Sequence, residues 1–431
     1  MKVAFYTLGC KVNQYDTQAM AEIMQAAGHD VVEFDECADI YVINTCTVTQ
    51  VADRKSRQII SRAREKAPHA GIIVTGCYSQ RAPGEVLAIE GVSLVCGTAD
   101  RGRIAMLAED IHKNGNVKQN AVIDNKNLEF EDISATKEGR TRAYLKIQDG
   151  CDRYCTYCAI PYVRGNIRSR SLESIRKELI KLEREGFREI VFTGIHLMSY
   201  GRDKNDGTSL VDAIRMADGL LGIRRIRLGS LEPKLLTDEL LLELSQNKRI
   251  CRQFHLSLQS GSKSVLRRMG RRYTPEEYLL GVERLRAALP GSAITTDIIV
   301  GFPGETDEEF NETLEFVKKV GFAKVHAFPY SRRSGTAADR FKDQIPNEIK
   351  SKRNARLIEV ASGIRLELLK KTIGSTREIL IEQHENGIIM GHTDDYLYVR
   401  AMCDDKENRS NTFADIKVTH VEGDGLFGVI V

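Results

Sequence analysis

The 431-residue sequence contains no run of about 18 apolar residues, so no membrane-spanning helix is expected. No basic segment leading into an apolar stretch and a small-residue cleavage site precedes the first strand-like run, Met1-Lys2-Val3-Ala4-Phe5; a secretory leader is not expected and the cytoplasm is the expected location. Charge of neither sign dominates, since 63 Lys and Arg stand against 60 Asp and Glu, a net of +3. With 42% hydrophobic and 29% charged residues the balance is that of an ordinary globular chain. The length suits two or three domains of ~100–200 residues, each able to bury a core. Ten cysteines in a reducing compartment argue for metal or redox chemistry before disulfides.

The near-neutral total conceals a gradient. From Lys371 onward six Lys or Arg face eleven Asp or Glu, a local net of −5, which leaves +8 on residues 1–370. The basic surface belongs to the first part of the chain and suits a polyanionic partner such as RNA.

Residues 1–113 alternate apolar runs (Val3–Leu8, Ile40–Asn44, Ile72–Thr75, Ser93–Val95) with helical patterns (Tyr15–Ala27, Val51–Lys66, Pro83–Ile89, Arg101–Lys113), as in a small parallel α/β domain. Three cysteines directly follow strands: Cys10 in Thr7-Leu8-Gly9-Cys10, Cys46 in Ile43-Asn44-Thr45-Cys46 and Cys77 in Val74-Thr75-Gly76-Cys77. Ligands bind at the carboxyl edge of an open parallel sheet, so cysteines far apart in sequence are expected to converge there. Singly, each reads as a small buried residue; together they read as a cluster site. Cys96 also ends a strand but lacks a glycine before it, and Cys37, Cys251 and Cys403 read as packing residues. The helix Val51–Lys66 carries six basic residues against Asp53 and Glu65, which reads as a solvated face, with RNA contact the competing reading.

The polar, weakly periodic stretch 114–140 reads as a linker. Beyond it, the strand-like Ala143–Ile147 leads into Gly150-Cys151-Asp152-Arg153-Tyr154-Cys155-Thr156-Tyr157-Cys158, a Cys-x3-Cys-x2-Cys loop. Three thiolates on a [4Fe–4S] cluster leave one iron open to a small molecule. A structural zinc site would need a fourth Cys or His, and none follows at a suitable distance. Six β/α repeats across residues 141–370 make a partial barrel, whose functional loops lie at the strand carboxyl ends. Thr193-Gly194, Glu232, Gln259 and Gly301 occupy four of those mouths, and His196 reads as a polar loop residue. Residues 371–431 show five short alternating runs, an all-β barrel-like module.

The strings Gly9-Cys10-Lys11-Val12-Asn13-Gln14-Tyr15-Asp16-Thr17, Asn44-Thr45-Cys46-Thr47, Gly76-Cys77-Tyr78-Ser79-Gln80, the Gly150–Cys158 loop and Pro161–Arg170 together resemble the methylthiotransferase family of radical S-adenosylmethionine (SAM) enzymes. The resemblance implies an α/β multidomain fold: an N-terminal methylthiotransferase domain (1–113), a central (β/α)6 radical SAM barrel (141–370) and a C-terminal TRAM-like domain (371–431). It implies that Cys151, Cys155 and Cys158 hold the radical-generating [4Fe–4S] cluster, and that Cys10, Cys46 and Cys77 hold an auxiliary [4Fe–4S] cluster whose open iron carries sulfur. Tyr157, Thr193, Gly194, Glu232, Gln259 and Gly301 are the residues expected to contact SAM. The first string is most similar to the branch that installs a 2-methylthio group on N6-threonylcarbamoyladenosine at position 37 of transfer RNAs. The implied partners are the anticodon loop of transfer RNA, a sulfur donor and an electron donor such as a flavodoxin or ferredoxin. The alternatives are a methylthiotransferase for N6-isopentenyladenosine or for a ribosomal-protein aspartate, and a non-catalytic iron–sulfur or zinc protein that binds RNA.

Two clusters predict about eight irons and eight sulfides per chain isolated without oxygen, with SAM cleavage on reduction. Zinc in place of iron, and no SAM cleavage, would point to the non-catalytic binder.

Overall fold

The computed structural model describes residues 1–115, 117–136, 141–403 and 407–431. Six strands, β1 (Lys2–Thr7), β2 (Asp30–Val32), β3 (Ile40–Thr45), β4 (Gly71–Gly76), β5 (Val92–Val95) and β6 (Gln119–Asn120), form a parallel sheet in the order β2-β1-β3-β4-β5-β6. Every residue of β3 and β4 is buried. Such strands read as continuous apolar runs because both faces are covered. Ala4, Tyr41, Ile43, Ile72 and Val74 pack on one side with Ile60 and Ala63 of helix α2 (Gln50–Lys66). On the other side Val3, Ile40, Val42 and Ile73 meet Met20 and Met24 of helix α1 (Lys11–Ala26).

The stretch expected as a linker is docked where it is described. It supplies β6, and its Ile133 and Ala135 pack with Tyr15 and Ala19 of α1. Its residues 116 and 137–140 lie outside the described residues.

The central part supplies β7 (Arg142–Lys146), the short antiparallel pair β8 (Gln148–Asp149) and β9 (Arg168–Ser169), then β10 (Glu189–Thr193), β11 (Arg225–Leu228), β12 (Gln253–His255), β13 (Ala293–Val300) and β14 (Lys324–Pro329). β7, β10 and β11 pair in parallel, as do β12, β13 and β14. Parallel bridges from Ile226 to Ile250 and from Leu231 to Leu256 join the two sets. Among the described residues β7 and β14 do not pair, so the six-stranded barrel is open on one side. Between its strands and the surrounding helices lies one continuous apolar cluster, in which Leu145, Ile190, Ile226, Phe254, Ile294 and Ile298 meet Leu179, Leu182, Leu244 and Val282.

The last part is a closed barrel, β15 (Thr376–Glu385), β16 (Ile388–Thr393), β17 (Tyr398–Met402), β18 (Phe413–Glu422) and β19 (Gly425–Ile430), ordered β15-β16-β17-β19-β18. Closure removes the exposed edges of so small a sheet. Among the described residues no helix is long and apolar enough to cross a membrane.

Buried charge fastens this module to the foot of the central barrel. Glu189, fully buried at the start of β10, pairs with Arg142 and with Arg227 at 2.9 Å. Arg227 in turn donates to the carbonyl of Asp394, and Arg225 to the carbonyls of His392 and Glu378. Burial works against the Glu189 carboxylate, but Arg227 and Arg142 outweigh it and hold its pKa down at about 2.

A carboxylate with a depressed folded pKa stabilises the fold above its unfolded value, and that contribution is lost as pH falls toward the folded one. Glu189→Gln is expected to destabilise the metal-free chain by about 3 kcal/mol at pH 7 and by much less at pH 3, read as urea midpoints at the two pH values. Equal losses at both would show that the charge of Glu189 is not the source.

Candidate functional site

β1, β3 and β4 are neighbours in the sheet, so the loops at their carboxyl ends lie side by side. Cys10 caps the amino end of α1, Cys46 follows β3, and Cys77 opens the short helix α3 (Cys77–Arg81). Helix amino termini favour negative charge, and thiolates placed there gain from it. Gly9 lets the first loop close on the second: at its φ of +108° a Cβ would sit 2.9 Å from Cys46 Cβ and 3.2 Å from its sulfur. Gly76, at φ +98°, leaves no room for a Cβ between Asn44 and the Thr45 carbonyl. Both positions need glycine for backbone conformation and for space.

Asn13 and Asn44 tie these turns together. Asn13 Nδ2 donates to the carbonyls of Leu8 and Thr45, and Asn44 Nδ2 donates to the Asn13 carbonyl and to Thr17 Oγ1. Thr47, next to Cys46, is held by Arg333 of the central part, whose Nη2 lies 2.6 Å from both Thr47 Oγ1 and Asp53 Oδ2. Cys46 is 8% exposed and Cys77 3%, whereas Cys10 is exposed at the mouth of a cavity. Cys96 points elsewhere, into the apolar cluster with Met20, Ile104 and Ala108. Of the cysteines expected to be packing residues, Cys251 and Cys403 are buried; Cys37 is exposed, because it follows β2 in a surface turn, and that expectation is corrected.

Arg164 connects the two cysteine sites. It ends the helix that follows Cys158, and it is fully buried. Its Nη1 donates to both oxygens of Asp149, each at 3.0 Å, and its Nη2 donates to Asn13 Oδ1 at 2.6 Å. Asp149 also lies 3.4 Å from Lys146 Nζ, and Lys146 and Arg101 reach Asp16 of α1 at 2.6 and 3.0 Å. Burial opposes both carboxylates, yet the surrounding cations hold Asp16 below, and Asp149 well below, the usual carboxylate range.

Cys151, Cys155 and Cys158 lie on one loop behind β8. The Cys151 amide donates to the Gly165 carbonyl, Cys158 to that of Cys155, and Thr156 to that of Met269. Arg271 brings its Nη1 to 3.5 Å from Cys155 Sγ and its Nη2 to 3.6 Å from Glu232. Glu232 further meets His196 Nε2 at 3.4 Å and Arg153 at 3.9 Å. Thr193 and Gly194 line the cavity, and the Gln148 side chain lies against Gly194 while its Oε1 accepts from the His196 amide. Gln259 adopts φ +73° and exchanges backbone bonds with β13. Gly301 is packed instead under the stem of Lys350, its amide on Glu305, away from the cavity lining. Tyr157 packs with Val265, Met269 and Phe302, the residue after Gly301.

Sequence reasoning missed Asn13, Asp149, Arg164 and Arg271. Asn13 and Arg164 sit in the recognised strings, but nothing local shows that residues 151 positions apart meet in one bond. Burial pushes the thiol of Cys46 up to about 12, Cys151 to about 11, Cys158 to about 12, and Cys77 upward as well. Thiols so desolvated become thiolates only against a cation that replaces their protons. All six are free cysteines, three sulfurs at each site, and soft sulfur donors of that count suit iron–sulfur clusters with one open iron.

A cavity of about 1290 Å³ lies between the three parts of the chain. Cys10, Lys11 and Val48 line it from the first, Thr193, Arg227, His255, Asp297 and His326 from the second, and His392, Tyr398 and Arg400 from the third.

The Radical SAM superfamily matches residues 145–317, and the family described as Uncharacterized protein family UPF0004 matches residues 2–97. The threonylcarbamoyladenosine tRNA methylthiotransferase MtaB of Bacillus subtilis is 42% identical over 92% of this chain and 89% of its own. Its namesake from Thermotoga maritima is 38% identical over 98% and 96%. The tRNA-2-methylthio-N(6)-dimethylallyladenosine synthase of Natranaerobius thermophilus is 35% identical over 99% and 96%. In fold, the chain resembles the radical S-adenosylmethionine methyltransferase TsrM of Kitasatospora setae, with a TM-score of 0.59 and 15% identity over 90% of this chain and 80% of that one. Full-length identity of this order, with both cysteine sites in place, makes the chain a member of the radical SAM tRNA methylthiotransferase family.

Proposed function

We propose that this chain installs a methylthio group on carbon 2 of N6-threonylcarbamoyladenosine at position 37, in the anticodon loop of transfer RNAs. The observation that carries this reading is the 42% identity to the Bacillus subtilis threonylcarbamoyladenosine tRNA methylthiotransferase across nearly the whole of both chains. Cys151, Cys155 and Cys158 hold the radical-generating cluster, and Cys10, Cys46 and Cys77 the auxiliary one. When bound, the clusters and SAM supply the radical and sulfur chemistry that an aromatic C–H bond, lacking an acid–base route to sulfur, demands.

The chain's own residues position that chemistry. Arg164 and Asp149 hold the two cysteine sites in fixed relation through Asn13. Glu232, flanked by Arg271, Arg153 and His196, and the Thr193-Gly194 turn are the SAM contacts nearest the Cys151–Cys158 loop, together with Gln259 and Tyr157. Burial alone would raise Glu232; His196, Arg271 and Arg153 bring it below its ordinary value, so it stays anionic at neutral pH. Exposed Arg54 and Lys55 on α2 suit phosphate contact beside the cavity. An anticodon loop is already single-stranded, so presenting base 37 costs less than extruding a base from a duplex. An external sulfur donor and a flavodoxin- or ferredoxin-type reductant complete the proposed partners.

Nucleosides from transfer RNA of cells with and without the gene test the assignment by mass spectrometry: 2-methylthio-N6-threonylcarbamoyladenosine is expected to vanish and return on complementation. Loss of the isopentenyl counterpart instead would move the chain to the sister branch. Cys77→Ala is expected to abolish methylthio transfer while SAM cleavage persists, whereas Cys155→Ala abolishes both. Transfer lost in Cys96→Ala and kept in Cys77→Ala would overturn the auxiliary ligand assignment.

A further inference from the structure

The cavity wall formed by β12, β13 and β14 carries a polar group that none of these roles uses. His255 ends β12, Asp297 lies in β13 and His326 in β14, where Asp297 and His326 are direct cross-strand partners. His255 Nε2 lies 3.3 Å from Asp297 Oδ2, its Nδ1 lies 3.2 Å from Thr295 Oγ1, and the two imidazole centroids are 6.0 Å apart. All three side chains face the cavity. Their nitrogen and oxygen atoms all lie within 4.8 Å of one another. Two imidazoles and a carboxylate on one wall can bond several polar atoms of a single ligand at once.

Lys11 enters the same cavity from the first domain, beside Cys10. Among the described residues no carboxylate forms an ion pair with it. Glu189 acts on Lys11 only at longer range, its oxygens being taken by Arg142 and Arg227. Lys11 and His326 line the same space.

A dimethylallyl group on N6 would leave this lining desolvated with nothing to bond. A threonylcarbamoyl group carries a carboxylate, a hydroxyl and two urea N–H donors. Pockets that offer hydrogen bonds discriminate strongly against a ligand that cannot return them.

We propose that Lys11, His255, Asp297 and His326 form the subsite that receives the acyl substituent on N6 of the target adenosine, with Lys11 pairing its carboxylate and the His–Asp–His wall bonding its hydroxyl and urea groups. The inference rests on the substrate reading above. It makes these residues the determinants that separate a charged, hydrogen-bonding substituent from a hydrocarbon one.

The test uses the protein with both clusters loaded and anticodon stem-loops of one sequence carrying A37, N6-isopentenyl-A37 or N6-threonylcarbamoyl-A37, with binding followed by fluorescence anisotropy. The wild type is expected to prefer the threonylcarbamoyl RNA over A37 by about tenfold or more, and Lys11→Gln to lose about tenfold of that preference while its affinity for A37 RNA stays within about twofold. Asp297→Asn and His326→Gln are expected to lose smaller parts of it. Iron content and RNA-free SAM cleavage report whether the Lys11 substitution has disturbed Cys10. If it has, the two variants of the opposite wall decide, since neither adjoins a cluster cysteine. Preference retained in all intact variants overturns the subsite. A wild type that prefers the isopentenyl RNA, or methylthiolates only that one, overturns the substrate reading itself, an outcome seen before any variant is made.

Discussion

The arrangement of this protein depends on one buried ion network, in which Asp16 and Asp149 are surrounded by Arg101, Lys146 and Arg164. Removing such charges from water is expensive, and only close mutual pairing offsets it. The network therefore has a strong preference for the one geometry in which all partners meet. That geometry brings α1, which Cys10 caps, against the loop that begins at Asp149 and carries Cys151, Cys155 and Cys158. Two cysteine sites from different domains acquire a fixed relation because charge pairing, unlike apolar packing, does not tolerate a slip.

The same low-dielectric surroundings shape the thiols. Deep burial raises Cys46, Cys77, Cys151 and Cys158, which disfavours the thiolates that the proposed clusters require. Arg164 leans the other way on Cys77, but burial outweighs it. On the proposed ligand assignment, assembly of the site and loading of metal are coupled in energy: a bound cation would remove the penalty that desolvation creates.

The cavity is a product of all three domains. The central barrel is open between β7 and β14, and the first domain and the closed C-terminal barrel each contribute residues to the space. Glu189 at the foot of the barrel fixes Arg227, and Arg227 in turn holds the turn around Asp394. The acidic net charge of the C-terminal part is in keeping with this: much of its polar surface answers arginines of the barrel, as Glu378 does Arg224 and Glu382 does Arg142.

The strands of all three domains were legible in the sequence, because apolar runs bounded by glycine and charge follow from the period of a buried strand. β2, β6 and β9 escaped, being three, two and two residues long. The cysteine positions were legible too, since a thiol just beyond a strand of a parallel sheet has only one edge to occupy. The docking of the stretch expected as a linker was not legible, because its few anchors, Ile133 and Ala135 among them, show no period. What only the tertiary structure decided is which charges are buried together and which polar groups face one another across the cavity. Asn13 bonds Arg164, and Lys11 lines one cavity with His326; these residues are distant in sequence, and domain packing rather than any local pattern brings them to one place.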